Sequence, residues 1–181
     1  MVMPNKKGIG ILGGSFDPPH KGHLEICKIS FKKIKLKKIY WIITKKNPFK
    51  KKTFFPLNQR IKKSRMIVKK IKKIKVLYLE DKINSTRTIN LVNYFRKVKK
   101  QNNLYLILGS DNLISFHKWT NWKKIVKLTK LIVFSRRGYD KKSKKSTTVK
   151  YLNKKNIIYI NNKLIDISST NIRKNLFKKL K

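Results

Sequence analysis

Hydrophobic and polar positions follow two periods along the chain. Short uncharged runs rich in β-branched and aromatic residues read as strands: Ile9-Gly10-Ile11-Leu12, Ile39 to Thr44, Val76 to Leu79, Leu104 to Leu108, Leu131 to Phe134 and Ile157 to Ile160. Between them the period lengthens. Leu24, Cys27, Phe31 and Ile34 recur at helical spacing, a helical pattern runs from about Asn58 to Lys72, and Ile89, Val92 and Phe95 form another helix face. A tryptophan-bearing helical stretch covers Trp119 to Lys127, and a final helix starts near Thr170. Pro48 and Pro56 mark a loop after the second run, and the polar segment from Arg136 to Thr148 reads as another. Charge-free strands alternating with amphipathic helices suit a sheet buried on both sides. The pattern therefore predicts an α/β fold, a doubly wound, mostly parallel sheet with helices on both faces, in a single domain over residues 1–181. In such a fold ligands bind beyond the carboxyl ends of the strands, where strand order reverses. Gly13-Gly14, Gly109 and the loop after Phe134 fall at that edge.

Composition narrows the class. Forty per cent of the 181 residues are hydrophobic, enough to fill a core, so the chain is not a disordered basic tail despite a formal charge of +42. Cys27 is the lone cysteine, and no Cys/His cluster has zinc spacing, which excludes a disulfide or zinc scaffold. Met1 to Leu12 leads into Gly13-Gly14 rather than a cleavable small-residue site, and nothing approaches the ~18 uncharged apolar residues of a membrane span. A soluble, cytoplasmic protein with no membrane partner is expected. The 49 Lys and Arg against 7 Asp and Glu invite a nucleic-acid reading. However, the lysines are spread through nearly every segment, and the chain is rich in Ile and Asn as well. Codon drift toward AT-rich triplets explains that combination, so no specific nucleic-acid partner is expected, although the charge still draws anions toward a cleft.

Two segments carry chemistry. The first, Gly13-Gly14-Ser15-Phe16-Asp17-Pro18-Pro19-His20-Lys21-Gly22-His23, lies between the first strand and the first helix. Its paired glycines let backbone approach a ligand, and the helix start offers free N–H groups and a positive dipole end. His20 and His23, three apart, can both donate to phosphate oxygens, with Gly22 leaving room for the phosphate chain. Neither the G-x-G-x-x-G fingerprint nor a Walker loop is present, which disfavours hydride transfer and P-loop NTPase chemistry. Asp17 reads as holding the turn by accepting backbone N–H bonds. The second segment is Ile167-Ser168-Ser169-Thr170-Asn171-Ile172-Arg173. Ser169 or Thr170 can cap the last helix, with Arg173 in its first turn. The segment is either a plain cap or a second anion clamp facing the first. Two clamps imply a polyphosphate.

These two segments resemble the nucleotidyltransferase superfamily with the (H/T)-x-G-H signature. Within it, the chain is similar to the bacterial nicotinate-nucleotide adenylyltransferases over essentially its whole length. Asn47-Pro48-Phe49-Lys50, Gln59-Arg60, Ser85 to Thr88, Leu108-Gly109-Ser110-Asp111-Asn112, Trp119-Thr120-Asn121-Trp122 and Arg136-Arg137-Gly138-Tyr139 follow in the family's order. The resemblance implies a Rossmann-like nucleotidyltransferase fold and the joining of ATP to nicotinate mononucleotide with release of pyrophosphate. It implies that His20, His23 and Arg173 are catalytic. Gly13, Gly14, Ser15, Phe16, Gly22, Gly109, Asp111, Ser169 and Thr170 would bind ATP, with Asp111 toward the adenosine ribose. Lys50, Thr88, Trp119 and Thr120 would receive the mononucleotide, Trp119 by stacking on the pyridinium. Mg2+ would arrive on the ATP, and no metal site built from protein residues is expected. Phe49 and Arg87 depart from the family's usual histidine and tyrosine. The alternatives are a related enzyme using nicotinamide mononucleotide or pantetheine phosphate, and a basic nucleic-acid-binding protein on the same fold.

Overall fold

The computed structural model describes residues 8–45, 53–161 and 169–179. Six strands, β1 (Ile9–Gly14), β2 (Lys38–Ile43), β3 (Ile74–Tyr78), β4 (Leu104–Gly109), β5 (Lys130–Phe134) and β6 (Ile157–Ile160), form one sheet in the order β3-β2-β1-β4-β5-β6. Every neighbouring pair is parallel, with Ile11 opposite Tyr40 on one side and Leu106 on the other. Strand order reverses between β1 and β4, which sets the ligand crevice at their carboxyl ends.

Side-chain alternation divides the core into two layers. Ile39, Trp41 and Ile43 of β2 and Tyr105 and Ile107 of β4 join one cluster, whereas Ile42 and Leu104, Leu106 and Leu108 join the other. The first layer is covered by α1 (Lys21–Ile34) and α2 (Leu57–Val68), through Cys27 and Val68 among others. The second is covered by α4 (Thr88–Lys97), α5 (Ser110–Ile114), α6 (Trp122–Leu128) and α8 (Thr147–Leu152), which supply Val92, Phe95, Leu113, Ile125 and Val149. The central strands β1 and β4 carry no charged residue, whereas Lys38, Lys75 and Lys130 sit on β2, β3 and β5, with Lys75 and Lys130 exposed. Gly10 suits the close packing on β1, because a Cβ there would stand 2.9 Å from the terminal carbons of both Ile107 and Leu36 and would force those side chains to shift. Among the described residues, no helix is long and apolar enough to cross a membrane.

The structure departs from the sequence pattern in places. The segment read as a loop from Arg136 to Thr148 instead contains α7 (Asp140–Lys144) and the start of α8. These short helices bury Ser143, Thr148 and Val149, with Leu152 partly buried beside them, so two of the four inner residues carry hydroxyls and no clear period is visible. The tryptophan-bearing stretch is also broken. A 3-10 turn covers Phe116–Lys118, Trp119 is extended, and Asn121 adopts φ 55° before α6 begins. A further short helix, α3 (Glu80–Ile83), follows β3 directly. The last helix, α9 (Ser169–Lys179), starts one residue before the expected point.

Candidate active site

β1 ends in Gly13-Gly14 at the crevice. Gly13 is exposed, and a Cβ built on it would meet nothing within 4 Å, so its backbone faces open space. The chain then turns inward. Ser15, Phe16 and Asp17 are buried, and Phe16 reaches φ 47°. Its ring packs edge-on beneath His23 at 4.9 Å between centroids and against Trp41 at 4.7 Å. Phe16 thus supports the histidine from the core side.

His20 caps α1 in an extended conformation, φ −148° and ψ 169°. Its backbone N–H donates to His23 Nδ1 at 3.2 Å, and the two rings lie 3.8 Å apart. Because His23 Nδ1 accepts, its ring proton sits on Nε2, which is left as a donor. Burial, with help from the Arg136 charge, lowers the His20 pKa to about 4. Burial, the neighbouring His20 and Arg136 push His23 well below the ordinary histidine value. Both imidazoles are therefore neutral at pH 7 and offer hydrogen bonds rather than positive charge.

The start of α9 rests on this same turn. Ser169 Oγ donates to the Pro18 carbonyl at 2.9 Å, and Arg173 Nη1 donates to the Asp17 carbonyl. Arg173 Nη2 also reaches Thr170 Oγ1 at 3.1 Å. The two sequence segments are brought into direct contact by bonds between residues 151 and 156 positions apart. Asp17 itself accepts the backbone N–H groups of Phe54 at 2.7 Å and Phe55 at 2.8 Å.

Arg60 holds the region together, and sequence reasoning assigned it no role. Buried to 1% exposure, it donates to the carbonyls of Ser15, Thr44, Lys45 and Phe55. Its position in α2 with Ser64 and Val68, all buried at four-residue spacing, is the signal that could have found it.

Across the crevice, Gly109 ends β4, and a Cβ there would collide with the Asp111 carboxylate. Asp111 Oδ1 lies 3.4 Å from Arg136 Nε. Ser110, fully buried, accepts the Arg136 backbone N–H at 3.0 Å, tying β5 to α5. Beside β2 and β3 a cleft of about 580 Å³ is lined by Lys45, Tyr78, Glu80, Arg87 and neighbours. Glu80 Oε2 accepts the Lys45 N–H at 3.0 Å, and burial raises its pKa. Thr88 opens α4 next to that cleft. Trp119 packs on Phe116 at 4.7 Å, and neither it nor Thr120 is among the residues lining the cleft. Lys50 lies outside the described residues.

The carboxylates are not scattered. Of the chain's 7 acidic residues, Asp17, Glu80, Asp81, Asp111 and Asp140 all follow the carboxyl ends of strands. Four of these bind backbone N–H groups or a guanidinium, and Asp81 accepts the Tyr78 hydroxyl at 2.6 Å. In a chain of charge +42, negative charge stands where loops around the crevice need anchoring. No group of three or more His, Cys, Asp or Glu side chains among the described residues is arranged to hold a metal.

The model of the cytidylyltransferase-like family matches residues 11–175. The chain is similar to the probable nicotinate-nucleotide adenylyltransferase of Pelagibacter ubique (strain HTCC1062), 51% identical over 93% of each chain. It is 33% identical to the probable nicotinate-nucleotide adenylyltransferase of Endomicrobium trichonymphae, over 92% of this chain and 84% of that one. Among solved structures it is similar to Plasmodium falciparum nicotinic acid mononucleotide adenylyltransferase complexed with NaAD. That likeness has a TM-score of 0.73 and 25% identity, over 96% of this chain and 89% of the other.

Proposed function

The chain belongs to the cytidylyltransferase-like family, and from that membership we propose that it transfers the adenylyl group of ATP to nicotinate mononucleotide. The products are deamido-NAD and pyrophosphate, and the step belongs to NAD biosynthesis. The observation that carries the reading is the contact of the α9 start with the histidine turn, through Ser169 to Pro18 and Arg173 to Asp17. Two helix beginnings with free N–H groups then face one anion, and a triphosphate is long enough to engage both.

The mononucleotide phosphate is itself the nucleophile, so the protein supplies alignment and charge stabilisation rather than a covalent intermediate. His20 and His23 donate neutral N–H bonds near the α-phosphate. Gly13, Gly14 and Gly22 let the phosphates approach the backbone, and Ser15 and Phe16 shape the turn beneath them. Ser169, Thr170 and Arg173 grip the β- and γ-phosphates that depart as pyrophosphate. Gly109 and Asp111 receive the adenosine ribose. Lys50, Thr88, Trp119 and Thr120 are assigned to the mononucleotide. Mg2+ enters as part of the MgATP substrate. Among the described residues, Asp17 is occupied by two N–H groups and Asp111 by Arg136, so neither carboxylate is free to serve as a metal ligand as it stands. We assign the enzyme to the cytoplasm, acting as a single domain.

Pyrophosphate release from MgATP, measured with nicotinate mononucleotide, nicotinamide mononucleotide and pantetheine phosphate in parallel, tests the reading. The acid mononucleotide should turn over fastest, because a site that hydrogen-bonds a carboxylate penalises the amide strongly. Faster turnover of either competitor overturns the substrate assignment.

A further inference from the structure

Arg136 is a cation at the centre of the crevice for which the reaction as described has no task. Its backbone N–H is fixed by Ser110 Oγ at 3.0 Å and Asp140 Oδ1 at 3.1 Å. Its side chain, 46% exposed, turns back over the end of β4 to Asp111 at 3.4 Å. Both groups lie directly above Gly109, where a Cβ would collide with the carboxylate and stand 3.1 Å from Arg136 Nε. A side chain at position 109 would push the pair out of this arrangement. Since β4 is the neighbour of β1, the guanidinium stands opposite the histidine turn, at the reversal of strand order. It is also close enough that its charge helps keep both imidazoles neutral. A half-exposed ion pair held through one nitrogen contributes little stability and exchanges readily for a better partner.

We propose that Arg136 is a catalytic residue held on a latch. In the free protein Asp111 retains its guanidinium, and a substrate ribose that hydrogen-bonds to Asp111 releases it onto the oxygens of the transferred phosphoryl group. This rests on the adenylyl-transfer reading. In that reaction a mononucleotide phosphate oxygen forms a bond to the α-phosphorus while the bond from that phosphorus to the α,β-bridging oxygen breaks. The electron pair leaves with pyrophosphate, and no proton or redox partner is required. Negative charge gathers on the bridging and α-phosphoryl oxygens. Arg173 stands on the α9 side, anchored to Asp17 and Thr170, and the neutral histidines bring no charge. Arg136 supplies the positive charge on the β4 side. The latch also makes phosphate affinity conditional on the sugar, which protects a very basic cleft from the many phosphates that carry none.

Binding of inorganic tripolyphosphate, measured by calorimetry, probes the latch without catalysis. Asp111→Asn frees Arg136 and should tighten tripolyphosphate about five- to tenfold. In an Arg136→Ala background the same change should gain less than about twofold. Equal gains in both backgrounds, or none in either, overturn the latch. In pyrophosphate-release kinetics, Arg136→Ala should lower kcat about 10²-fold with the KM for MgATP changed less than about threefold, and Arg136→Lys should recover part of the loss. A kcat within about twofold of the unaltered enzyme overturns the catalytic role. If the unaltered protein released no pyrophosphate with any mononucleotide, the activity itself would fall, while the tripolyphosphate cycle would still decide the latch.

Discussion

Arg60→Ala removes the guanidinium that fastens the histidine turn to the chain on either side of it. Four hydrogen bonds are lost, to Ser15 at 2.6 Å, Thr44 at 2.8 Å, Lys45 at 2.8 Å and Phe55 at 3.0 Å, and all four acceptors are backbone carbonyls. Burial lowers the Arg60 pKa, while the Asp17 and Glu80 charges oppose that and favour the cation. Both carboxylates therefore lose a compensating charge as well. Each bond to a charged group is worth about 1.5–3 kcal/mol by itself, but the four come from one guanidinium and are not independent, and water can refill part of the space. Removing one partner from a buried charged network typically costs about 3–5 kcal/mol, and that is the expected loss. Against a total stability of about 5–15 kcal/mol the variant folds only marginally. Arg60→Lys keeps the charge but not the planar fork, and should lose about 2 kcal/mol. Urea unfolding followed by tryptophan fluorescence reports the change, since Trp41 is fully buried and touches Phe16 in the same turn. A loss below about 1 kcal/mol for Arg60→Ala would refute the idea that this side chain anchors the site.

Three further outcomes follow from the same geometry. His23→Ala should lower kcat about 10²- to 10³-fold while circular dichroism keeps the folded signature, with a lower urea midpoint because the His20 N–H loses its acceptor; a tenfold or smaller effect on kcat argues against a transition-state contact. The depressed His20 pKa means that the unfolded chain binds protons first as pH falls below 6.5. The stabilisation is whole above that value and is lost as pH drops through about 4, so the urea midpoint should decline with acidity from pH 6.5 downward. A His20→Ala/His23→Ala double variant should flatten the upper part of that decline, and an unchanged slope contradicts the assignment. Cys27 is fully buried and its thiol is pushed up to about 12 by burial, so it should react with a disulfide reagent only after unfolding. Rapid labelling of the native protein would be inconsistent with the core described.

The sheet was legible because its strands are buried on both faces, which forces uncharged runs such as Ile39 to Thr44 and Leu104 to Leu108. The helices α7 and α8 were not, because Ser143 and Thr148 lie on their inner side and a buried hydroxyl looks like a loop residue in sequence. Trp119 fell outside a helix because Asn121 takes a left-handed conformation that periodicity does not encode. At the site, the glycine–histidine turn and the Ser169-Thr170 helix start stood out by local residue types, whereas their contact, Ser169 on Pro18, joins residues far apart in the chain and leaves no local signal. Arg60 and Arg136 lay within motifs of the resemblance but had no role assigned among 49 basic residues, and burial and partners are what set them apart.

The most direct test is a structure of the protein with MgATP or a non-transferable analogue. One triphosphate chain is expected, bonded at its α end by His20 and His23 Nε2 and at its β and γ end by Ser169, Thr170 and Arg173. A triphosphate held by only one of these helix starts, with the other more than a hydrogen bond away, contradicts that expectation.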